Sequence, residues 1–86
     1  MDINDLRLEI DEINEQLLSL FERRMDIVKE IGRYKKQRKL PVKDPERERQ
    51  ILSGMCEKTR PELSEYVQTL FLSLFEVSSN YQKTVD

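Results

Sequence analysis

The sequence predicts an all-α fold of three helices, long, short and medium, and three observations carry that prediction. Apolar residues at Ile3, Leu6, Ile10, Ile13, Leu17, Leu20, Ile27, Ile31 and Tyr34 follow the three-and-four spacing of one helical seam. Of 86 residues, 37% are charged and only two are glycine, a composition rich in helix formers and poor in turn formers. Two of the three prolines, Pro45 and Pro61, stand where a new helix would begin. The length allows one domain, residues 1–86.

The first helix is expected over Asp5–Gln37, about 50 Å of rod. Asn4 or Asp2 can cap it, and Asp5 and Glu9 suit its positive N-terminal end. Arg33, Lys35, Lys36, Arg38 and Lys39 suit the negative end, and Pro41 stops the segment. Two shorter helices cannot cover so long a seam, so the chain is expected to bury it against a second copy of itself in an interlaced antiparallel homodimer. Asp44-Pro45-Glu46 restarts the chain with a capping acid, a proline at the first helical position and an acid in the first turn. This second helix runs through Ile51, Leu52 and Met55 to about Lys58. Thr59-Arg60-Pro61 breaks it, and a third helix from Pro61 carries Leu63, Tyr66, Val67, Leu70, Phe71, Leu74, Phe75 and Val77 on to Gln82.

Composition narrows the function. A net charge of −2 argues against nucleic-acid or membrane partners, no apolar run reaches membrane-spanning length, and no signal-peptide core is visible. Cys56 is the single cysteine and there is no histidine, so the chain is expected to be cytoplasmic, metal-free and without a cofactor. The missing histidine also removes the commonest general base at neutral pH.

Four features place polar groups where core is expected. Arg24 interrupts the long seam; Lys35, eleven residues on, shares its face to within about 20° and lies about 16 Å further along the axis. Val28 and Ile31 form an apolar floor between them, so the two cations could bracket a small anion or simply snorkel to water and pair with acids. Glu48 shares a face with Ile51, Leu52 and Met55, where a carboxylate has a raised pKa unless a cation or donor compensates. Ser78 and Gln82 continue the stripe of Phe71, Leu74 and Phe75, either as hydrogen-bonding groups or as a frayed last turn. Arg7 lies about 25 Å from Arg24 along the helix, rotated by about 100°, and could reach such a site only from an antiparallel partner.

Leu6-Arg7, Ile10 to Asn14, Leu17-Leu18, Glu22-Arg23-Arg24, Ile31 to Lys35 and above all Pro41 to Arg49 resemble the all-helical class of chorismate mutases. The resemblance covers nearly the whole chain and resumes from Phe71 to Gln82. It implies an interlaced homodimer of three-helix chains that converts chorismate to prephenate by a Claisen rearrangement in phenylalanine and tyrosine biosynthesis. It further implies that Arg24 and the partner chain's Arg7 bind the substrate carboxylates, with Arg47 supporting that cluster. Lys35 and Gln82 would face the ether oxygen, Glu48 and the Asp44 backbone the ring hydroxyl, and Ser78 a carboxylate. Ile31, Phe75 and Ser79, with the Val28 floor, would line the wall. Ser79 stands where the family often has an apolar residue; Asn14 and Val77 also depart from its pattern. Such a rearrangement needs no covalent intermediate and no obligatory proton transfer, so a chain without histidine is suited to it.

Two other functions fit parts of the pattern. A lyase of the same fold, eliminating pyruvate from isochorismate, would use a similar cationic pocket, although Glu48 with the Asp44–Glu48 block favours the mutase. A non-catalytic helical dimerisation or regulatory module would use the polar positions only as salt bridges. Association with another enzyme of aromatic biosynthesis is compatible with either enzymatic reading.

Overall fold

A computed structural model describes residues 2–85, and among them the architecture is three α-helices, one short 3-10 turn and no strand. Helix α1 spans Ile3–Gln37, α2 spans Pro45–Lys58 and α3 spans Ser64–Gln82. Helix α1 starts two residues before the expected Asp5 because Asp2 caps it. The Asp2 carboxylate accepts the Asp5 N–H at 3.0 Å, and the Asp5 carboxylate accepts the Asp2 N–H at 3.4 Å, a reciprocal capping box.

The end of α1 is set by the backbone before Pro41 is reached. Lys39 adopts a left-handed φ of 57°. Its N–H returns to the Lys36 carbonyl at 3.2 Å and that of Leu40 to the Lys35 carbonyl at 2.8 Å, which closes a Schellman turn. Arg38 folds back over the Tyr34 ring at 3.6 Å. Helix α2 begins as its sequence signals: the Asp44 carboxylate accepts the Arg47 N–H at 3.1 Å and Pro45 occupies the first turn.

The third helix departs from expectation at its start. Pro61–Leu63 forms a 3-10 turn, and the α-helix proper begins at Ser64. Arg60 offers no side-chain acceptor as a cap, and the chain tightens instead: the Leu63 N–H reaches Arg60 O at 3.0 Å and the Ser64 N–H reaches Pro61 O.

Helix α3 packs against both α1 and α2. The core inside one chain is small: Val28 and Gly32 of α1, Phe75, Ser78 and Ser79 of α3, and Val85 just beyond it are the buried positions. The seam of α1 is not among them. Its nine apolar residues are between 42% (Ile31) and 59% (Ile27) exposed, and every residue from 2 to 20 is exposed. The molecule measures 54 × 27 × 15 Å with a radius of gyration of 16.0 Å, against about 12 Å for a compact chain of this length. None of the described helices is long and apolar enough to cross a membrane.

Candidate active site

The second half of α1 has two working faces. Ile27, Ile31 and Tyr34 keep much of their surface exposed, while Arg24, Val28 and Gly32, spaced by four, turn toward α3. Arg24 therefore leaves the seam by facing inward. Its guanidinium donates through Nη1 to the Ser78 hydroxyl in a short contact. Ser78 is itself buried, one turn before the end of α3, so it does not belong to a frayed last turn.

Arg24 opens onto a hollow of about 740 Å³ between the three helices, within the usual range of small-molecule sites, about 300–1,000 Å³. Helix α1 contributes Arg24, Val28, Ile31 and Lys35; the connection and α2 contribute Asp44, Arg47 and Glu48; α3 contributes Phe75, Ser78, Ser79 and Gln82. Every residue expected at the site lines this one hollow except Arg7, which is exposed on the N-terminal half of α1.

Three further residues complete the geometry. Lys35 Nζ donates to the Val42 carbonyl at 2.7 Å, which aims the ammonium while leaving two of its three donors unused by that bond. Glu48 is half-buried, and Lys43 Nζ stands 3.6 Å from its Oε2, the cation that a carboxylate on this face requires. Lys58, at the far end of α2, adds another cation to the lining. Val42 was not readable from sequence because it acts through its carbonyl, and Lys43 because its contact depends on how the loop folds back.

Neither Arg24 nor Lys35 forms an ion pair with an acid among the described residues; the four pairs present join Arg33 to Glu30, Lys43 to Glu48, Arg49 to Glu46 and Arg60 to Glu62. Two half-buried cations thus face an apolar floor with no carboxylate of their own among the described residues. Gln82 Oε1 is buried and accepts no hydrogen bond among the described residues. Such a lining can hold a small anion at two points, present point charge to an oxygen between them, and engage a hydroxyl through Glu48.

Fold and lining together define an all-helical protein with a hollow bracketed by Arg24 and Lys35. Residues 6–83 match the family described as chorismate mutase type II, and the chain belongs to that family. It is 42% identical over 52 residues to a T-protein of Haemophilus influenzae, covering 60% of this chain and 14% of that protein. It is 44% identical over 50 residues to a bifunctional chorismate mutase/prephenate dehydratase of Aquifex aeolicus, covering 58% and 14%. With a chorismate mutase of Methanocaldococcus jannaschii it shares 38% identity over 47 residues, covering 55% and 48%. The matched stretch is therefore less than half the length of each of these relatives.

Proposed function

We propose that this chain is a chorismate mutase, isomerising chorismate to prephenate by Claisen rearrangement. The observation that carries the reading is the pair Arg24 and Lys35, without an acid partner among the described residues and facing one hollow in a member of this family. In such a rearrangement the C–O ether bond breaks as the new C–C bond forms, within one cyclic shift of electrons. Arg24 clamps a carboxylate with its forked donors and holds the compact conformer in which the two reacting carbons meet. The Ser78 hydroxyl, already bonded to Arg24, fixes the guanidinium and presents its own proton toward the same anion. Lys35, aimed by the Val42 carbonyl, and the Gln82 amide stabilise the negative charge that grows on the ether oxygen. Glu48 and the Asp44 backbone receive the ring hydroxyl, and Arg47 strengthens the positive field at the carboxylate end. Val28, Ile31 and Phe75 exclude water, which raises the value of each charge, and Ser79 makes that wall more polar.

The working form in this reading is an antiparallel homodimer in which each hollow receives Arg7 from the other chain. Two features support it. The seam of α1 is left exposed by the chain's own fold. Helix α1 is also electrically lopsided: residues 3–20 carry five acids and one arginine, while residues 21–37 carry six bases and three acids, so two copies attract only head to tail. Completing the burial of such side chains yields about 1 kcal/mol each, and nine from each copy suffice against an association cost of about 4–15 kcal/mol. The bifunctional description of the Aquifex relative supports association with a further enzyme of aromatic biosynthesis.

The decisive experiment is to incubate purified protein separately with chorismate and with isochorismate. Prephenate from the first is the expected product. Pyruvate released from the second without any prephenate from the first would assign the hollow to a lyase, and no turnover of either, with no calorimetric heat from a transition-state analogue, would leave a non-catalytic module.

A further inference from the structure

Gln82 is the last residue of α3, a position where helices ordinarily fray. Here the segment beyond it is tied down. Thr84 donates to the Tyr81 carbonyl through its N–H at 3.0 Å and through its hydroxyl at 2.7 Å. The Val85 N–H reaches Gln82 O at 3.4 Å, and the Val85 side chain is only 8% exposed. From α1, Lys36 Nζ donates to the Val85 carbonyl at 3.2 Å. Between these groups lies Gly32, buried against the end of α3. A Cβ on Gly32 would stand 3.3 Å from Val85 Cγ2 and 3.4 Å from both Cα and Cβ of Gln82. The tightest of the three is the Val85 methyl, and the two atoms of Gln82 stand at the edge of ordinary van der Waals contact, so an added methyl would press first on Val85 and through it on the segment that closes the last turn of α3.

We propose that Gly32, Lys36 and Val85 form a clasp that positions Gln82, holding its amide against the hollow. The proposal rests on the assignment of Gln82 to the ether oxygen made above. None of the three lines the hollow, so none touches substrate and each acts through Gln82 alone. A donor to a developing charge is effective only within a few tenths of an ångström of its productive place. The missing Cβ lets α1 approach closely enough to set that place, Val85 covers the gap, and Lys36 pins Val85 from outside. Loss of the clasp therefore weakens a contact made in the transition state and leaves ground-state binding by Arg24 untouched.

The test measures kcat and KM for Gln82→Ala, Gly32→Ala, Val85→Ala and Lys36→Met, and for each clasp variant combined with Gln82→Ala. Gly32→Ala and Val85→Ala should each lower kcat about tenfold or more with KM within about twofold. In the Gln82→Ala background the same changes should cost less than about twofold, because the group they position is gone. Val85→Ile should retain activity. Lys36 is exposed, so Lys36→Met reads the clasp even where a packing variant fails to fold, with a smaller loss of kcat and the same non-additivity. If Gln82→Ala is damaging and the clasp variants add to it in full, or if they raise KM at unchanged kcat, the clasp does not act through Gln82. If Gln82→Ala leaves kcat unchanged, the assignment of Gln82 itself fails, and the clasp with it.

Discussion

Arg24 and Lys35 carry the same charge but are held differently, and the proposed mechanism gives them different work. Arg24 is fixed through a side-chain hydroxyl on another helix, which suits a planar fork that must meet a carboxylate at a set angle. Lys35 is aimed by a carbonyl of the loop that follows its own helix, and its compact ammonium needs only to lie near one oxygen. The expected kinetic signatures differ accordingly. Lys35→Ala should lower kcat by about 100-fold or more, near 3 kcal/mol, with a smaller change in KM, as for removal of one oxyanion donor. Arg24→Ala should raise KM and lower kcat together, because in the proposed mechanism the clamp holds substrate before and during the reaction. Steady-state kinetics on the two variants, with circular dichroism to exclude misfolding, would separate these outcomes.

Among the elements, the junctions decide where site residues stand. Asp44 lines the hollow and caps α2 through the Arg47 N–H. Asp44→Ala should cost about 1 kcal/mol of stability, as loss of an N-cap acceptor does, whereas Asp44→Asn keeps the acceptor and should cost little; denaturant titration measures both. Lys39 in the left-handed region is the opposite case. Lys39→Gly removes a steric penalty of about 1–2 kcal/mol, offset in part by the freedom of glycine in the unfolded chain, so a net gain of about 0.5–1 kcal/mol is expected in the same titration. The contrast explains what the sequence disclosed. Asp44-Pro45-Glu46 announces its helix because a cap, a proline and an acid act within one turn. Lys39 carries no local mark of its conformation, so the end of α1 at Gln37 was legible but its cause, the turn at Lys39 rather than Pro41, was hidden, and the 3-10 turn at Pro61 was hidden because it reflects a cap that Arg60 lacks. In the hollow, Arg24, Lys35, Glu48, Ser78 and Gln82 betrayed themselves as polar groups on apolar stripes. Val42, Lys43 and Val85 could not, since each acts across a fold-back that no periodicity records.

At the scale of the whole molecule, Arg7 is the one expected site residue that a single chain does not bring to the hollow. The proposed exchange between copies has a direct check. Arg7→Ala and Lys35→Ala chains, each inactive in its own homodimer, are mixed under conditions that exchange subunits. Half of the sites in a mixed dimer are then intact, so activity should return toward half the normal value per mixed dimer. Mixed dimers verified by mass that stay inactive would show that Arg7 serves its own chain, and an Arg7→Ala homodimer with normal activity would show that it serves none.

The uncovered seam along α1 has one more consequence. In the proposed homodimer, a rod whose apolar edge is finished by a second rod would not fold first and associate afterwards; the two would become one bimolecular event, and the melting temperature would climb with protein concentration. Below the dissociation constant each chain would lose its borrowed arginine and much of its helix together, so turnover per chain would fall on dilution and recover when the solution is concentrated.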